Sequence, residues 1–174
     1  MAFVRMAGVL ALLVLATGSA WAQGSKLNDA QIAHIAYTAD QIDIQAGQQA
    51  LEKSNNNEVR AFAQDMVRDH TAVNEKALAL VKKLNVTPED NNTSQALSKQ
   101  ATDKRAELAK LNGAAFDKAY INNEVTYHKA VNEALQNTLI PGATNSELKN
   151  LLTTGLKIFQ GHQQHAEQVA VGFK

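Results

Sequence analysis

The chain has 174 residues, with 17 basic against 17 acidic side chains and no cysteine. That balance provides no basic face for nucleic acid and no polybasic patch for an anionic membrane. Without cysteine there is no disulfide, no thiolate metal ligand and no thiol nucleophile.

The chain starts with a short basic stretch, Met1–Arg5, followed by an apolar run from Met6 to Ala16 and small residues ending in Ala20-Trp21-Ala22. This is the pattern of a secretory signal peptide, and it predicts cleavage after Ala22. The run falls short of the about 20 apolar residues of a permanent span; an uncleaved anchor is the competing reading. A lipoprotein is excluded, because it needs a cysteine at the cleavage site. The expectation is therefore an exported, periplasmic protein, free or associated with the outer membrane, with no transmembrane span after cleavage. Residues 23–174 are expected to form a single domain.

Abundant Ala, Leu, Gln, Lys and Glu, with proline only at 88 and 141, point to helix. Asn28 with Gln31 forms a capping box, and Leu27 can staple to Ile32. The stripe of this first helix runs Ile32, Ile35/Ala36, Ala39, Ile42/Asp43, Ala46 and Ala50, and the polar turn 54–57 ends it. Asn55 with Glu58 predicts the next cap. The second helix carries Val59, Phe62/Ala63, Met66, His70, Val73, Ala77, Leu80 and Leu84 inward, a stripe of three- and four-residue steps. Lys82 and Lys83 suit its C-terminal dipole. After the turn 85–92, Ser94 opens a more polar helix to about Leu111, read as a crossover on the outside or as the solvated start of a longer helix that breaks at Asn112-Gly113. The third bundle helix is expected from Ala114 to Leu139, with Ile121, Glu124/Val125, His128, Val131 and Leu135 inward and Pro141-Gly142 closing it. Thr144 with Glu147 is the expected cap of the last, whose stripe includes Leu148, Leu152, Gly155, Phe159, His162, Ala166 and Val169. No strand alternation is visible. The pattern predicts an all-α fold: a ferritin-like four-helix bundle with an extra crossover helix between the second and third bundle helices.

Each bundle helix carries a polar residue on its inward face near mid-length: Asp43, His70, Glu124 with His128, and His162. Taken singly, each is an ordinary partly buried polar residue. Together they fall at matching heights: Glu124 and His162 each lie 19 residues from Ala143, and Asp43 and His70 differ by roughly 4.5 Å of helix rise about their turn. Burying them unpaired would cost several kcal/mol. A hydrogen-bonded Asp/Glu–His network avoids that cost, and so does a divalent transition metal. Imidazole and carboxylate without sulfur suit Zn, Fe, Mn or Cu. A di-iron bundle needs a Glu from each of two helices and a Glu-x-x-His from each of the other two. Here carboxylates are too few and histidines too many, so if a metal binds, a single histidine-rich site is the expectation. Asp69, His165 and Met66 are secondary candidates: Asp69 as a solvated group, a cap or an orienting partner of an imidazole, and Met66 as a core filler or soft ligand. Tyr120 and Tyr127 flank Glu124 as packing aromatics or donors, and His34 reads as surface. No nucleophile elbow, phosphate loop or His-Glu-x-x-His is present.

Three segments carry a resemblance: Glu58-Val-Arg-Ala-Phe-Ala-Gln-Asp-Met-Val-Arg-Asp-His70, Phe116-Asp-Lys-Ala-Tyr120 running on to Glu124-Val-Thr-Tyr-His128, and Gly161-His162-Gln-Gln-His165-Ala166. They resemble a bacterial family of exported, ferritin-like helical proteins of unknown function, often labelled outer-membrane or secreted proteins. In that family's first helix acidic residues stand two apart; here the positions hold Asp43 and Gln45. The resemblance implies a ferritin-like bundle and export, and no catalytic residues. Three functional readings follow: a metal-binding bundle for storage, buffering or stress; a non-enzymatic structural or envelope-interaction module with a hydrogen-bonded inner layer; and a metal-dependent oxidoreductase. The balance leans away from an enzyme.

Overall fold

The computed structural model describes residues 26–173, and the expected leader lies outside them. Among these residues the fold is all helical: α1 Asp29–Lys53, α2 Asn57–Lys83, α3 Asn92–Ala109, α4 Gly113–Ala134, a π-helical turn Leu135–Leu139, a short α5 Ile140–Gly142, and α6 Ser146–Val171. The closest-packed pairs are α1 with α2 and α4 with α6; α2 also packs on α6, and α3 lies mainly against α1. The whole forms one helical bundle.

The caps explain where the helices begin. Asn28 and Gln31 make the reciprocal capping box expected at α1. At α2 the cap is Asn56, not Asn55; its side chain accepts from the amides of Glu58 and Val59. α3 starts ahead of Ser94, because Asn91 caps it and Ser94 closes the box. Asn145, rather than Thr144, caps α6. Thr144 is instead held by Asp29, which accepts from the Thr144 amide (2.8 Å), the Thr144 hydroxyl (2.6 Å) and the Asn145 amide (2.8 Å). Three acceptances by one carboxylate tie the start of α1 to the turn before α6. Gly113 opens α4 at φ 55°, a left-handed conformation that favours glycine, so α3 and α4 are separate helices. Near the far end of α4 the Ile140 amide reaches back to the Leu135 carbonyl, a widened turn. It lies just before Pro141, whose ring would meet the Asn137 carbonyl in an unbroken helix.

Two apolar clusters fill the interior. One joins Ile32, Ile35 and Ala39 to Leu135, Leu139, Leu148, Leu152 and Phe159. The other joins Ala46 and Ala50 to Phe62, Met66, Phe116, Tyr120, Ile121 and Ala166. Along α1, α2, α4 and α6 alike, a short polar stretch separates the residues of one cluster from those of the other.

Candidate metal centre

That polar stretch is built from Asp40 and Asp43 on α1, His70 on α2, Glu124 and His128 on α4, and His162 on α6. Asp43, Glu124 and His128 are each 1% exposed, His70 2%, Asp40 3% and His162 6%. Helical spacing explains the convergence. Asp40 and Asp43 are three apart, and Glu124 and His128 four apart, so each pair shares a face. His70 and His162 occupy the stripe positions that continue Met66 and Phe159.

Each histidine has one ring nitrogen held from behind. His70 Nδ1 lies 2.7 Å from Asp40 Oδ1, His128 Nδ1 3.1 Å from the Glu124 carbonyl, and His162 Nε2 3.0 Å from Asp69 Oδ2. The opposite nitrogens, His70 Nε2, His128 Nε2 and His162 Nδ1, are buried without a hydrogen-bond partner. Both Asp43 oxygens and Glu124 Oε2 are likewise buried and unpaired. Asp43 Oδ2 is 2.9 Å from His70 Nε2 and 3.2 Å from His128 Nε2, at angles that make no hydrogen bond. Ligand atoms of His70, His128 and His162 all lie within 4.8 Å of one another, and so do those of Asp43, Glu124 and His128. These buried His, Asp and Glu groups are able to hold a metal ion. Nitrogens about 2.1 Å from a tetrahedral ion sit about 3.4 Å apart, so a modest inward closure suffices.

The electrostatics divide the layer into charged and neutral members. Burial opposes a charge on His70, yet Asp43 and Asp40 on its two sides raise its pKa to about 10. Burial pushes the Asp40 carboxyl up, against the pull of His70. Burial also works against ionising Asp43, but the adjoining imidazoles of His128 and His70 hold its carboxyl well below the usual range. Glu124 is pushed far up by burial and by the Asp43 charge, so it keeps its proton. Burial lowers His128, and it lowers His162 to about 4, leaving both neutral and their free nitrogens available as ligands. Phe159 stacks on the His70 ring, with centroids 4.5 Å apart, and closes that side.

The secondary candidates fall elsewhere. Asp69 is the orienting partner of His162. His165 Nδ1 lies 3.8 Å from Asp65, and both side chains are over one-third exposed on the α2–α6 face. Met66 is fully buried in the second apolar cluster. Tyr127 donates to the Ala39 carbonyl (2.9 Å) rather than to a carboxylate, and the Tyr120 hydroxyl is buried without a partner. His34 is half-buried near Asp90, not freely exposed. Sequence reasoning missed Asp40, although it stands three residues before Asp43 and four after Ala36. It also missed Asn74, one turn beyond His70 and 3% exposed.

Residues 15–169 match a family described as a domain of unknown function, DUF4142. The chain belongs to this family. The DUF4142 match takes in every residue of the polar layer, from Asp40 to His162. No match was found among curated proteins or among solved structures. Membership in DUF4142 supplies no activity, so the chemistry of the layer has to carry the functional argument.

Proposed function

We propose that this protein binds one divalent transition-metal ion through His70, His128, His162 and Asp43, with Glu124 as an adjoining protonated carboxyl. One observation carries the reading. Three imidazoles each have one nitrogen fixed by a carboxylate or carbonyl and the other buried without a hydrogen-bond partner, and their ligand atoms lie within 4.8 Å of one another. Outer partners of this kind fix the tautomer and orientation of metal-ligating histidines. Three nitrogens with one carboxylate suit Zn, Cu, Fe or Mn, in the order their affinities for such ligands allow. We further take the bundle to be ferritin-like, with α3 as the crossover between two helical hairpins, and the protein to be exported to the periplasm. Its role is then to store or buffer the ion rather than to turn over a substrate.

The test is metal quantification on the purified protein, followed by zinc, copper, manganese and iron titrations of chelator-stripped samples. At a hundredfold excess over Kd, one ion stabilises the fold by about 2.7 kcal/mol, read as a raised Tm. His70→Ala and His128→Ala should abolish stoichiometric binding. If no metal copurifies and no titration moves the melting point, the second reading stands: a structural module with a hydrogen-bonded inner layer. The 2.7 Å hydrogen bond between Asp40 and His70 within the layer favours that alternative.

A further inference from the structure

Asp43, His70, Glu124 and His128 are each at most 2% exposed, whereas His162 faces the α2–α6 seam at 6%. His162 is the most exposed of the four proposed ligands, and its outward nitrogen touches Asp69, whose side chain is 26% exposed. One turn along the same seam, Asp65 and His165 form a second carboxylate–imidazole pair at 3.8 Å, with side chains 35% and 38% exposed. Asp65 and Asp69 are four apart on α2, and His162 and His165 three apart on α6, so the two pairs are successive rungs between facing helices. Arg68 spans both carboxylates: Nη1 donates to Asp65 Oδ1 at 2.7 Å and Nε to Asp69 Oδ1 at 2.7 Å. Inward, the His162 ring centroid is 5.2 Å from that of His70 and 5.4 Å from that of His128. The unpartnered His162 Nδ1, on a side chain over nine-tenths buried, belongs to this interior side.

We infer that metal ions enter the centre along the α2–α6 seam, captured first by Asp65 and His165 and passed inward at the Asp69–His162 pair, with Arg68 latching the two carboxylates. The inference rests on the metal-centre reading above. Two carboxylates against one guanidinium leave the rung net negative, which attracts a cation and repels an anion. Carboxylate and imidazole alternate along the route, so an ion passes between ligands of the same kinds it finds inside. His162 has both ends of the transfer: Nε2 at the rung and Nδ1 at the centre. Asp65 and His165 are route residues, not members of the final ligand set.

Stopped-flow mixing of chelator-stripped protein with Co(II), followed by its visible absorption bands, separates entry from binding. Asp65→Asn with His165→Gln should slow association about tenfold, in the range that electrostatic guidance contributes, and leave equilibrium affinity and stoichiometry unchanged. Arg68→Ala should accelerate association by freeing both carboxylates, and wild-type association should slow as salt rises. Asp103→Asn, on α3 and away from the seam, is the control for generic charge loss. Co(II) that binds wild type and both seam variants at the same rate overturns the entry route and spares the centre. A double variant that loses equilibrium binding also overturns it, by making the outer rung part of the ligand set. Wild type that binds no Co(II) at equilibrium overturns the centre and the route together.

Discussion

His70 stands between two carboxylates, so at neutral pH a cation at the centre competes with a proton. With its pKa raised to about 10, His70 enters binding protonated, whereas His128 and His162 are already neutral. Metal binding at pH 7 should therefore release about one proton per ion. The sign follows: affinity rises with pH, by about tenfold per unit between pH 6 and 8. An indicator-dye measurement of proton release checks both; no release would remove His70 from the ligand set. Asp40 supports His70 from behind. Asp40→Asn should weaken metal binding 10–100-fold with helix content intact, the usual cost of losing an orienting partner, measured by competition with a chelator. In sequence, His70, His128 and His162 were legible because each interrupts an apolar stripe. Asp40 was not, because adjoining Ala39 already filled the stripe and the α1 face is wide enough to bury both. The role of Asp69 could be named only as one of three alternatives, since a residue about 100° around the helix from His70 meets α6 only when the helices are packed.

At the scale of elements, the α1–α2 contact depends on Gly47. A Cβ there would lie 3.0 Å from Val67 Cγ2 and 3.1 Å from the Ala63 carbonyl, and the latter is helix backbone that cannot rotate away. Gly47→Ala should cost about 1–3 kcal/mol despite the gain in helix propensity. Gly161→Ala on α6 meets nothing within 4 Å, so it should gain about 0.5–1 kcal/mol from propensity alone. Urea midpoints of the two variants provide the comparison, and equal signs would contradict the packing described. Helix existence and order were readable from the 3.6-residue period and from cap-forming residues at each start. The frame of the α2, α3 and α6 caps was not: 55–57 is a run of asparagines, any of which satisfies the same rule, and Asn91 stands three residues ahead of Ser94. Thr144 was misassigned because its true partner, Asp29, lies far away in sequence. The widened turn 135–139 left no mark on the apolar pattern, since it relieves a steric problem posed by Pro141 downstream.

At the scale of the whole molecule, the lone tryptophan, Trp21, lies in the expected leader, and residues 23–174 contain none. Export with cleavage after Ala22 should yield a protein that emits only as tyrosine and whose intact mass begins at Gln23. Tryptophan emission from periplasmic material would overturn the cleavage. The all-helical character of the described residues was legible, because no segment alternates with period two. Which hairpin partners which, and that α3 rides chiefly on α1, followed from packing and not from any single helix.

The polar layer also partitions the apolar interior, and this bears on how the chain comes apart. Ile32 to Ala39 with 131–159 make one greasy body, and Ala46 to Met66 with 116–121 and Ala166 make another. Between them, carboxylate–imidazole contacts replace hydrocarbon contact. Each body can therefore melt with some independence when nothing bridges the gap, and the calorimetric enthalpy should exceed the van't Hoff enthalpy for the stripped protein. An ion gripped by α1, α2, α4 and α6 together would couple the halves into one cooperative unit, bringing the two enthalpies together. The residue pattern that first draws attention to ligand chemistry thus also sets the cooperativity of the fold.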